Sequence, residues 1–72
     1  MGRVDRVHRQ LTKRIDTLRE AKGLSVNYLA DFAGVSRGHM SKILSGKQSP
    51  TVRTLAKISQ ALDVDIAALF ER

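Results

Sequence analysis

Between Val26 and Ile43 the chain sets Leu29, Ala30, Ala33, Gly34, Val35, Met40 and Ile43 at spacings that few small folds satisfy. Two short helices crossing at about 90 to 120° touch only where the residue at the crossing is small, and Ala30 holds that place. The chain must then turn within about three or four residues, which a residue tolerant of positive φ makes possible. Gly34 stands there. Leu29 and Ala33 make one apolar stripe, Met40, Ile43 and Leu44 the next, and Val35 fills the corner between them. Ser36 can cap the second helix and Gly46 can end it. The spacing predicts a helix-turn-helix, with an ordinary αα-hairpin in a small bundle as the alternative.

Charge separates these two. The chain has 13 Lys and Arg against seven acids, and no acid lies between Asp31 and Asp63. That gap holds Arg37, Lys42, Lys47, Arg53 and Lys57. One face of the second helix, the loop after it and the start of the next helix is therefore expected to be strongly positive and to attract phosphate.

The totals narrow the possibilities further. Seventy-two residues make one domain, which at this size buries only about 60% of its unfolded surface. A net charge of +6 points to a polyanion, nucleic acid before an acidic membrane. Three aromatic residues are few for a protein that binds by stacking on bases, so duplex DNA is favoured over single strands. Without cysteine, and with only the distant His8 and His39, neither a redox centre nor a zinc site is expected, and no other cofactor. Acids and histidines scattered along helix surfaces do not form an acid–base cleft, so neither an enzyme nor a small-molecule substrate is expected. The charged start of the chain resembles neither a signal peptide nor a membrane span, which predicts a cytoplasmic protein.

Hydrophobic periodicity and capping residues predict an all-α domain over 1 to 72, with helices over about 4–22, 25–33, 36–45, 51–62 and 65–71. The first carries Val4, Val7, Leu11, Ile15 and Leu18 on one stripe. Ser25 caps the second. Thr51 caps the fourth, whose stripe is Val52, Leu55, Ile58, Ala61 and Leu62. Asp65 precedes the last helix, with Ile66, Leu69 and Phe70 on one side.

Four segments carry a family likeness. They are Leu18 to Ser25, Leu29-Ala30 with Ala33 to Arg37, Ser45-Gly46-Lys47 with Pro50, and Leu55 to Ile58 continuing to Leu69-Phe70. Over about Ile15 to Phe70 the chain resembles the phage-repressor and Cro-like helix-turn-helix family, also called the XRE family. The resemblance implies a compact five-helix, lambda-repressor-like DNA-binding domain that often docks as a homodimer on a palindromic operator. Its third helix then lies in the major groove. Position by position, this puts Arg37, Gly38, His39 and Lys42 where bases are read. Arg37 leads, because a guanidinium can donate two parallel hydrogen bonds to guanine. The same likeness puts Asn27, Ser36, Ser41, Ser45, Lys47 and Gln48 at the phosphate backbone, where contacts give affinity without reading sequence.

Three positions depart from the family. Val26 replaces a phosphate-binding glutamine, so either Asn27 or the backbone amides at the helix start must take over. Leu44 replaces the glutamate that pairs with Arg19, which must find another partner, reach solvent or contact DNA. Phe32 is apolar where the family is polar, and either covers helix 1 or marks a contact surface. The expected function is a sequence-specific regulator of transcription, a repressor by promoter occupancy. The alternative is a helix-turn-helix interaction module, an antitoxin or adaptor, with DNA binding secondary. The first reading requires Arg37 to be reachable and not masked by carboxylates.

Overall fold

The computed structural model describes residues 3 to 71, with side chains from Asp5 onward. Four α-helices follow in order: α1 (Arg3–Ala21), α2 (Val26–Ala33), α3 (Arg37–Leu44) and α4 (Val52–Ala61). No strand occurs among the described residues. The expected fifth α-helix is instead a 3₁₀ helix, Ile66–Phe70. The Asp65 side chain makes no capping bond to organise a first α-turn, and short segments of this kind commonly close as 3₁₀ turns. The Ala68 N–H closes the tighter turn on the Asp65 carbonyl at 2.9 Å.

The core is one cluster built from every helix. Leu11 and Ile15 of α1 meet Leu29, Ala30 and Ala33 of α2, Met40 of α3, Leu55, Ile58 and Ala61 of α4, then Leu62 and Leu69. Four expected stripe residues stand apart from it. Val52 is 75% exposed. It lies at the margin of the arc that Leu55, Ile58 and Leu62 define at about 100° per residue, and in the first turn. Val7 and Phe70 are about half exposed, and Ile66 also reaches solvent, so Leu69 alone anchors the 3₁₀ segment in the core. The side chain of Val4 lies outside the described residues.

Arg14 secures that last segment to α1. Its Nε donates to the Ala68 carbonyl at 3.0 Å, and its Nη2 pairs with Glu71 at 3.3 Å. Arg19 finds new partners in place of the missing glutamate. Its Nη1 donates to the Leu24 carbonyl at 2.6 Å, Nε to Asp16 Oδ1 at 3.1 Å and Nη2 to Glu20 at 3.5 Å. A largely buried guanidinium thus ties the end of α1 to the segment leading into α2, and the first of the three options for Arg19 is the one realised.

Candidate nucleic-acid interface

Local chemistry sets the α2–α3 unit. Ser25 accepts the Tyr28 N–H at 3.0 Å and starts α2. Ser36 accepts the His39 N–H at 3.1 Å and starts α3. Between them Gly34 adopts φ +73°. Its N–H reaches the Asp31 carbonyl at 3.2 Å, while the Val35 N–H bonds the Ala30 carbonyl at 2.9 Å. These two bonds close the end of α2 with a left-handed residue, a conformation costly for any residue with a Cβ. The direction in which α3 leaves α2 is thereby fixed.

α3 then shows two faces. Met40 and Ile43 are fully buried. Arg37, Gly38, Ser41, Lys42 and Ser45 are exposed and fall within one arc of roughly 140° at about 100° per residue. His39 lies half-buried at the margin, between that arc and Ile43. A Cβ built on Gly38 would meet nothing within 4 Å, so the protein's own packing does not require glycine there. Gly38→Ala is expected to stabilise the domain by about 0.5–1 kcal/mol, a rise of a few degrees in melting temperature. An unchanged or lower midpoint would contradict this.

The loop after α3 turns at Gly46, φ +81°. Both the Lys47 and Gln48 N–H groups bond the Lys42 carbonyl, at 2.9 and 3.2 Å, which leaves their exposed side chains for any outside contact. Ser45 Oγ donates back to the Lys42 carbonyl at 3.2 Å, so its hydroxyl proton is engaged. Asn27 is exposed in the first turn of α2, beside Val26, which packs against the core. All five cations of the acid-free stretch are exposed.

The sequence reading missed one feature. Asp31, on the last turn of α2, reaches across the turn to Arg37, the first residue of α3. Arg37 Nε donates to Asp31 Oδ1 at 3.1 Å and Nη2 to Oδ2 at 2.6 Å. These hydrogen bonds hold the Asp31 carboxyl below the usual carboxylate range and raise the guanidinium above its own. The requirement that Arg37 be reachable and not masked by carboxylates is therefore met only in part. One edge of the guanidinium is occupied, although both side chains remain more than half exposed. A separation of six residues matches no helical repeat, so only the turn geometry brings the pair together.

Phe32 does not cover α1. It is 65% exposed and sits 5.9 Å, centroid to centroid, from the exposed Tyr28 ring on the same face of α2. Among the described residues no group of three His, Cys, Asp or Glu could hold a metal ion, and no helix is long and apolar enough to cross a membrane.

With this geometry the chain is similar to several known proteins. The transcriptional regulator SlrR of Bacillus subtilis is 43% identical over 54 residues, 74% of this chain and 36% of that protein. Its transcriptional regulator SinR is 37% identical over 60 residues, 82% of this chain and 54% of that protein. The chain thus spans roughly a third to a half of these curated relatives. A crystal structure of SinR in complex with DNA matches with a TM-score of 0.78 at 35% identity, covering 85% of this chain and 98% of that one. The restriction-modification controller protein C.AhdI of Aeromonas hydrophila matches with a TM-score of 0.84 at 30% identity, covering 88% and 96%. A helix-turn-helix family model matches residues 15–69, and the chain belongs to that family, the XRE-type helix-turn-helix proteins.

Proposed function

We propose that this chain is a sequence-specific double-stranded-DNA-binding regulator of transcription that lays α3 in the major groove and represses by occupying a promoter. The observation that carries this reading is the exposed arc of α3. Arg37 and Lys42 project from a helix held outward by the Gly34 turn, within a stretch from Asp31 to Asp63 that has five exposed cations and no acid in between. A helix about 10–12 Å across fits a major groove about 12 Å wide, and the cations supply the phosphate attraction. The likeness to SinR, solved in complex with DNA, supports the same reading.

Exposure around α3 and the family likeness support the following roles. Arg37 and Lys42 read bases, Gly38 lets the helix backbone come close, and His39 contributes from the margin. Asn27, Ser36, Ser41, Lys47 and Gln48 hold phosphates. Ser45 can donate to a phosphate only after its hydroxyl releases the Lys42 carbonyl. Two copies would present their α3 helices about 34 Å apart on a palindromic site.

Selection from a pool of random-sequence duplexes tests this reading. Enrichment of a motif supports it, and failure to enrich any motif would overturn it. Lys47→Ala is expected to weaken all duplexes alike and to reduce the slope of log K against log salt by about 0.9. An unchanged slope would remove Lys47 from the phosphate contacts. The exposed Tyr28–Phe32 pair favours a second reading, an interaction module of the antitoxin or adaptor kind. Under that reading the salt slope of the whole protein is flat.

A further inference from the structure

We infer that Asp31 is a positioning residue that determines specificity: its carboxylate grips one edge of the Arg37 guanidinium and presents the adjoining end edge to the acceptor pair of a guanine. The inference rests on reading α3 as the base-contacting helix.

A guanidinium has five N–H donors arranged as a fork. Asp31 engages the Nε–H and one Nη2–H, at 3.1 and 2.6 Å. The two Nη1–H groups and the second Nη2–H remain. One Nη1–H and that Nη2–H lie parallel along the end edge, which can make two bonds to guanine O6 and N7. The carboxylate thus leaves the reading edge open.

Position makes this arrangement effective. An arginine alone at the start of a helix spreads over many rotamers, and binding must then order it. Here the partner sits on α2, the reader on α3, and the Gly34 turn between them is closed by its own two backbone bonds. Both ends of the pair are therefore mounted on fixed backbone, and the fork is oriented before any ligand arrives.

Charge adds discrimination. A phosphate approaching the open edge brings its negative charge toward the Asp31 carboxylate and is repelled. The edge of a guanine is neutral and pays no such penalty. Asp31 thus lowers the affinity of Arg37 for backbone more than for the correct base, and specificity is that difference. Asp31 is set beside the leading reader, and the stretch that follows it is free of acids up to Asp63.

The experiment compares the wild-type 72-residue chain with Asp31→Ala, which removes both acceptors. Each protein is titrated with the duplex enriched from the random pool, with versions of it in which every guanine is replaced in turn, and with random duplex. Asp31→Ala is expected to bind random duplex severalfold more tightly and to lose roughly tenfold of discrimination at one guanine. Arg37→Ala loses preference at the same position, and adding Asp31→Ala to it changes that preference no further. Discrimination is a ratio measured on one protein, so a partly unfolded fraction cancels. If Asp31→Ala keeps full discrimination, the carboxylate only clamps the turn. If it sharpens discrimination, the carboxylate masks the reader. Either result overturns the inference while leaving the proposed function intact, whereas a wild type without any preferred duplex overturns both.

Discussion

Leu29→Ala is expected to cost about 2–5 kcal/mol and to lower the melting temperature by about 10 °C or more. Leu29 is fully buried in the cluster that joins all four α-helices, and it lies on α2 one residue before the crossing residue Ala30. A domain of this length holds about 0.05–0.15 kcal/mol of stability per residue, so one such cavity removes a large part of the total. Leu29→Met nearly conserves volume and should cost less than about 1.5 kcal/mol. Thermal or urea unfolding of both variants checks this. Equal stability of Leu29→Ala and wild type would mean that α2 does not pack as described.

Arg37→Ala is expected to lose roughly five- to 150-fold of discrimination at one base pair of the preferred duplex, with little change in melting temperature. Its side chain is 60% exposed and stands outside the core cluster, so the effect should fall on binding. Because the substitution leaves the Asp31 carboxylate without its cation, affinity for all duplexes should also decline. Competition binding against single-base variants separates the two losses. A uniform decline with every preference intact would show that Arg37 contributes only to the general electrostatic attraction.

The positions legible from sequence share a physical cause. Ser25, Ser36 and Thr51 accept amides three residues ahead, and Gly34 and Gly46 take positive φ where helices end. These are short-range demands, met within a few residues of the side chain concerned. The stripe of Leu55, Ile58 and Leu62 likewise follows from helical periodicity alone. Val52, at the margin of that stripe, shows where periodicity stops being sufficient. A residue can hold the right phase and still lie in a first turn that nothing covers. The terminal segment makes the same point, since its apolar residues said nothing about whether five residues would close as an α-helix or a 3₁₀ helix.

The candidate site divides along the same line. Its composition was readable: the cations between Asp31 and Asp63, the capping Ser36 and the small Gly38 all stand in the chain as written. The state of its leading residue was not. Asp31 and Arg37 are brought within 2.6 Å by the angle at Gly34 and the packing of two helices on one core. By itself the sequence determined the four α-helices, the caps that begin three of them and the excess of positive charge, because those depend on neighbours in the chain. Only the tertiary structure decided which edge of Arg37 Asp31 occupies, what Arg19 holds in place of the missing acid, and that Phe32 and Tyr28 remain uncovered. Those outcomes depend on where separate helices come to rest, and no local rule encodes that distance.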